Sequence, residues 1–225
     1  MLERDHRLIY HTSEQGSLEW HEARAGKVTG TKSSVLLSNP SRGRGGLSVG
    51  CWTLIYALAS EIAFPDPPDL DPYQSGDMDR GSRLEPQARE AYELEKFTPV
   101  QQVGFVEVEG RLAGFSADGV IPPTEGTEIK CLKKAQHMRW LEERVVPKEH
   151  HAQIQWTIFC AGFEGWDLVH YHPRFAAGRG RLDIQTFRAD SRAQDRFAEA
   201  FPILEAEVWR LVEKYRTKDQ PNNRV

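Results

Sequence analysis

Ser116-Ala117-Asp118-Gly119-Val120-Ile121 is followed, with nine residues between its aspartate and the next motif's glutamate, by Glu128-Ile129-Lys130-Cys131. Side chains on a strand alternate between faces, so a strand over residues 127–131 sets Glu128 and Lys130 on one side and Ile129 on the other. Ile129 then belongs to the core, and only its backbone carbonyl can reach the polar face. Two carboxylates and a carbonyl are hard oxygen ligands of the kind magnesium takes in an octahedron that keeps several waters. An ion held so can activate water and clamp a phosphate, while a neighbouring ammonium stabilises developing charge. Taken singly, Asp118-Gly119 is a hairpin signal and Glu128-x-Lys130 a solvated strand face. Their combination carries the chemistry.

Outward from this centre the chain alternates helical and strand patterns. Ser17 can cap a helix ended near Gly26, and Thr29 another that runs to Leu37 before Asn39-Pro40 stops it. Ser41-Arg42-Gly43-Arg44-Gly45-Gly46 reads as a mobile basic loop, and residues 48–63 as a helix followed by a proline-rich loop. Leu84, Ala88, Ala91 and Tyr92 recur at helical spacing, so an amphipathic helix is predicted over residues 79–97. Strands follow at 100–109, 111–116 and 127–131, with Glu109-Gly110 and Asp118-Gly119 as turns. Helices are predicted at 133–144 and 148–163, strands at 166–172 and 182–188, and a closing helix at 190–215 before a polar tail. No repeat interrupts this order. It describes a single domain over residues 1–225, an α/β (α+β) chain with one mixed sheet flanked by helices.

The composition fits a folded domain: 39% hydrophobic and 28% charged over 225 residues. The most apolar stretch, around residues 51–64, holds Glu61 and is too short and polar to span a bilayer, so no membrane is expected. The N-terminus lacks the apolar core of a secretory signal. Cys51, Cys131 and Cys160 form no Cys-x-x-Cys, and a reducing cytoplasm suits them. A formal charge of −4 runs against a nucleic-acid partner unless basic residues gather on one face around an acidic centre. Local clusters do exist, at Arg42 and Arg44 and at Lys130, Lys133, Lys134 and Arg139.

Two further residues share faces with apolar stripes. Glu85 aligns with Ala88 and Tyr92, which turns it inward, where a carboxylate needs a metal or a cation; its plainer reading is a first-turn acid favoured by the helix dipole. Gln153 aligns with Trp156, Cys160 and Phe163, and is otherwise a core glutamine bonded to backbone.

Gly81-Ser82-Arg83-Leu84-Glu85, Ser116-Ala117-Asp118-Gly119, Glu128-Ile129-Lys130-Cys131 and His151-Ala152-Gln153-Ile154-Gln155 resemble, in order, the motifs of the phage lambda-type exonucleases, the YqaJ-type viral recombinases. Upstream, Trp20-His21-Glu22-Ala23-Arg24-Ala25-Gly26-Lys27-Val28-Thr29-Gly30-Thr31 is similar to that family's opening segment. The resemblance implies a restriction-endonuclease-like PD-(D/E)XK core and a magnesium-dependent 5′-to-3′ exonuclease. Its substrate would be linear double-stranded DNA, its products 5′-mononucleotides and a 3′ single strand for phage-type recombination.

The resemblance further implies that Asp118, Glu128 and the Ile129 carbonyl bind metal and that Glu85 supports a second ion, with Mn2+ able to substitute for Mg2+. Lys130 and Gln153 would hold the nucleophilic water, and Arg24, Thr31 and Ser116 the terminal 5′-phosphate. Arg42 and Arg44 are expected to touch the duplex, with the helices of residues 17–63 forming part of the DNA-binding face. Also implied are a ring-shaped homotrimer on DNA ends, a single-strand annealing protein as partner, and a phage or prophage gene acting in the bacterial cytoplasm. Leu132 stands where a proline commonly follows, and His150 where a tyrosine commonly precedes Gln153.

Other readings stay open at this level. His170 and His172 share one strand face, and such a pair can bind zinc, although surface histidines on an edge strand explain it more simply. The same core also serves endonucleases and resolvases, and a DNA-binding recombination module that has lost activity. The intact acid-acid-lysine set argues against the last.

Overall fold

The computed structural model describes residues 7–40, 43–66, 76–122 and 124–216. Arg42, most of the proline-rich loop and the polar tail lie outside the described residues.

Two sheets form where one was expected. β1 (Leu8–His11), β2 (Phe105–Val108) and β3 (Gly114–Phe115) make an antiparallel sheet in the order β1-β2-β3. β4 (Gly119–Ile121), β5 (Glu125–Lys130), β6 (Gly165–Tyr171) and β7 (Leu182–Phe187) make the second, in which only β5 and β6 run parallel. Ahead of β2, Gln101 bridges to Val120 of β4, the two residues exchanging hydrogen bonds of 2.9 Å each. Glu109-Gly110 is the turn the sequence predicted, with Gly110 at φ 71°. Asp118-Gly119 is not. Gly119 opens β4, and a Cβ there would lie 2.0 Å from Val100 Cγ1, so the glycine serves close packing rather than chain reversal.

The helices follow the sequence closely. α1 (Leu18–Arg24) starts where Ser17 Oγ accepts from the Trp20 amide, and α2 (Val49–Ala63) where Ser48 Oγ accepts from that of Cys51. Between them residues Gly30–Leu37 form a 3-10 helix, and Thr29 makes no capping bond because its hydroxyl lies 3.3 Å from that of Thr31. α3 (Gly76–Lys96) precedes the strands, α4 (Lys134–Glu143) and α5 (Lys148–Ala161) link β5 to β6, and α6 (Ser191–Tyr215) closes the chain.

Packing fixes the two faces of the second sheet. Ile129 and Val169 turn toward Ala88 and Tyr92 of α3, so Glu128 and Lys130 face the opposite way, toward α5. The main core stacks Trp156 of α5 against Phe197 and Phe201 of α6, each 5.3 Å away between ring centroids. The Trp156 indole N–H donates to Gly114 O at 3.1 Å, tying α5 to β3. Replacing so buried a tryptophan by alanine typically costs about 3–5 kcal/mol, so α5 is held firmly against both sheets. α5 is the element that carries Gln153.

Candidate active site

Asp118 occupies the connector between the two sheets, just before β4. Its Oδ2 accepts from the Ile129 amide at 2.6 Å. Within a ladder a residue's N–H and C=O point to the same neighbouring strand, so the Ile129 carbonyl also points to the Asp118 side. There β4 has ended, because its pairing with β5 stops at Gly119 and Thr127. On the adjoining face Glu128 is buried, and one of its oxygens receives both Lys130 Nζ at 2.6 Å and Gln153 Nε2 at 3.0 Å. Gly30 gives Gln153 its room, since a Cβ there would come within 2.7 Å of Gln153 Cγ.

The electrostatics are those of an acid cluster short of cations. Burial, and next the charge of Glu128, push the Asp118 carboxyl well above its ordinary range. Burial pulls Lys130 down, but Glu128 and Asp118 outweigh it and hold the ammonium above its usual range. Glu85 reaches the same edge one turn before Ala88, its carboxyl raised by burial against the opposing pull of Arg89, with which it pairs. Arg89 is itself buried, and the Gln102 amide, oriented with its oxygen toward the guanidinium, accepts two bonds of 2.9 Å. Three carboxylates therefore share two cations, Lys130 and Arg89.

That imbalance and the hard oxygen donors fit a divalent cation at Asp118, Glu128 and the Ile129 carbonyl. Among the described residues no three His, Cys, Asp or Glu side chains converge on one point, so the carbonyl is needed to complete the set. A second ion at Glu85 would have to compete with Arg89.

Of the three residues expected to hold a terminal phosphate, two lie together. Arg24 donates to Ser116 Oγ at 2.7 Å and lies 3.9 Å over the Trp20 ring, whose N–H reaches the same hydroxyl at 3.2 Å. Ser116 therefore accepts twice and keeps its own proton for an outside acceptor. No carboxylate lies within ion-pair range of Arg24 among the described residues, and burial lowers its guanidinium to about 10. Ser116 and Asp118 do not share a strand face as the sequence spacing implied; they are brought together by a connector with buried Ala117 between them. Thr31 is exposed in the 3-10 helix and makes no hydrogen bond to Arg24 or Ser116.

Arg44, expected to touch the duplex, lies 3.8 Å over the Trp52 ring and donates to the Tyr56 hydroxyl at 3.1 Å, which places it against α2 and leaves that expectation as it stood. Other expectations change. β6 is an interior strand, and His170 and His172 are buried rather than exposed on an edge. His170 stacks on Trp140 at 3.8 Å, whereas His172 Nδ1 accepts from the Arg174 amide at 3.2 Å, so the pair does not converge as a zinc site.

Sequence reasoning missed Arg89, the partner of Glu85, although its i+4 spacing was visible. It also missed Arg80, which donates to the carbonyls of Cys131 and Leu132 immediately after Lys130. That contact spans two distant segments and leaves no local signal. Leu132 packs against the core and offers its carbonyl to Arg80, a contact that any residue can provide.

A family model described as the YqaJ-like viral recombinase domain matches residues 19–164. Comparison with curated protein sequences gives no match. Among solved structures, the alkaline exonuclease LHK-Exo of Laribacter hongkongensis is similar with a TM-score of 0.67 and 24% identity, over 88% of this chain and 97% of that one. Its complex with dAMP gives 0.63 at 24% identity, over 88% and 97% of the two chains. A phage-related exonuclease of Haemophilus somnus gives 0.57 at 13% identity, over 84% and 96%.

Proposed function

Because this chain belongs to the YqaJ-like viral recombinase family, we propose that it is a magnesium-dependent exonuclease that degrades one strand of linear duplex DNA from its 5′ end. The observation that carries the reading is the joint placement of Asp118, Glu128, Lys130 and Gln153, with the carboxylate-free Arg24 one connector away.

Asp118, Glu128 and the Ile129 carbonyl would hold the ion. When bound, magnesium supplies Lewis-acid polarisation of the phosphate and of the attacking water. Lys130 and Gln153, aimed at one oxygen of Glu128, position that water, and the ammonium offsets the negative charge that builds on the phosphate. Arg24 can grip a terminal phosphate through two N–H groups, and Ser116 can donate its free proton to it. A 5′-terminal phosphate carries about one charge more than an internal diester, which favours chain ends over interior positions. Glu85 would support a second ion once released from Arg89, and Mn2+, which also accepts hard oxygen ligands, can replace Mg2+.

The proposal includes a homotrimeric ring on DNA ends and a single-strand annealing partner, both supported by the family resemblance. Both LHK-Exo and the Haemophilus somnus protein are described as exonucleases, in keeping with this reading. The test compares linear duplex bearing 5′-phosphate or 5′-hydroxyl with closed circular DNA. Loss of the linear form, fastest with 5′-phosphate, is expected, and Arg24→Ala should erase most of the phosphate preference. Equal cleavage of closed circles would make the enzyme an endonuclease.

A further inference from the structure

A cavity of about 310 Å³ opens beside Lys130, walled by Leu132, Trp140, Val145, Pro147, His150 and His170, with Gln136 and the ion-paired Arg139 and Glu143 completing the lining. Three placements join it to the carboxylate site. His170 is the register partner of Lys130 across the parallel β5–β6 pair, so both side chains rise on one face. His150 lies three residues before Gln153 on α5, hence on the same side of that helix. Leu132 follows Lys130 by two residues. The cavity therefore sits at the carboxyl ends of the parallel strands, where open sheets bind ligands.

Its lining is unusual in one respect. The Nδ1 atoms of His150 and His170 are both closed off from solvent without a hydrogen-bond partner among the described residues. His170 is only 2% exposed, and buried polar atoms are ordinarily satisfied. Burial lowers its imidazole to about 3, so the ring is neutral at working pH and offers a proton or a lone pair rather than a charge. A largely apolar wall edged by neutral imidazoles and a few polar side chains matches a nucleobase, which has a flat apolar face and an edge of donors and acceptors.

Position selects which base. Along the sheet order β4-β5-β6, Arg24 and Ser116 lie beyond the β4 side of Asp118, and the cavity lies on the β6 side of Lys130. A strand anchored by its 5′-phosphate at Arg24, with its next phosphate at Asp118 and Glu128, continues toward the cavity. We propose that the cavity receives the nucleobase on the 3′ side of the scissile phosphate, packed against Trp140 and Leu132 and against the imidazoles of His150 and His170. This rests on the nuclease reading given above. The site grips the nucleotide that will be released next, and so would hold the strand in register between cleavages.

The experiment uses 5′-phosphorylated linear duplex, intact or with an abasic residue as the second nucleotide. Binding is read by fluorescence anisotropy without divalent metal, and first-nucleotide release with magnesium. Wild type should bind the abasic end about tenfold more weakly, the scale of one lost base contact, and release its first nucleotide correspondingly more slowly at limiting enzyme. His150→Leu and His170→Leu, each checked for folding by circular dichroism, should weaken intact DNA and remove most of the difference. Equal wild-type binding of both ends would overturn the subsite. A leucine variant that alters only the oligomeric state would assign the cavity to a subunit contact and also overturn it. Failure to bind or cleave any duplex would instead overturn the nuclease reading on which the inference stands.

Discussion

Gln153 and Gln155 stand two residues apart in one motif, yet the structure gives them different work, and replacing each should separate stability from activity. Gln155 is buried and ties α5 to the start of α6. Its Nε2 donates to Arg188 O at 2.9 Å, and its Oε1 accepts from the Asp190 amide at 2.8 Å and from Gln194 Nε2 at 3.1 Å. Leucine keeps the volume and loses all three bonds. At about 1 kcal/mol per bond, Gln155→Leu should cost about 3 kcal/mol, which for a chain of this size lowers Tm by roughly 6–12 °C. Gln153→Leu loses one bond, to a Glu128 carboxylate that keeps Lys130, so its stability should fall by only about 1.5 kcal/mol. Its DNA cleavage should fall about tenfold or more, because a water-positioning donor is removed. Urea denaturation and initial cleavage rates at 20 °C, where both variants are folded, measure the two effects. A Gln155→Leu protein as stable as wild type, or a Gln153→Leu protein with undiminished rate, would refute the division.

Two more outcomes follow from the charges. Because the folded Asp118 carboxyl is raised above its ordinary range, its contribution favours folding below pH ~3.9 and is lost as pH rises through the raised value. Metal-free wild type should therefore lose stability relative to Asp118→Asn as pH climbs from the acid side toward neutrality, while Asp118→Asn loses cleavage; urea midpoints across pH, measured in chelator, check the sign. Replacing Arg42 and Arg44 together should flatten the log–log salt dependence of duplex binding by roughly one to two units, and an unchanged slope in a titration of salt would remove this loop from the interface.

The parts of the fold carried by local chemistry were legible in the sequence. Ser17 caps its helix as predicted, helices start at Ser48 and Asp190 where the pattern placed them, and alternation correctly set Ile129 on one face and Glu128 with Lys130 on the other. What escaped depended on distant partners. β4 was hidden because Asp118-Gly119 carries turn residues, while the glycine is needed for the approach of Val100. β1 is four residues long with no clear alternation, and only its pairing with β2 makes it a strand. In the site, the acid-acid-lysine set was readable because one strand supplies most of it. The guanidiniums of Arg80 and Arg89 were not, since nothing near them in sequence shows which carbonyl or amide they will meet. The histidine pair was misjudged for the same reason: β6 becomes an interior strand only through β5 and β7.

A metal-dependent phosphodiesterase centre at Asp118, Glu128 and Lys130 makes release of the 5′ nucleotide depend on both the ion and the carboxylates. Linear duplex labelled at one 5′ end is incubated with wild type or Glu128→Gln, in magnesium or in chelator, and the products are resolved at single-nucleotide length. Wild type with magnesium should release the labelled 5′-mononucleotide as its first product, and neither chelator-treated wild type nor folded Glu128→Gln should release label. Equal release by Glu128→Gln, or by wild type in chelator, would contradict the account.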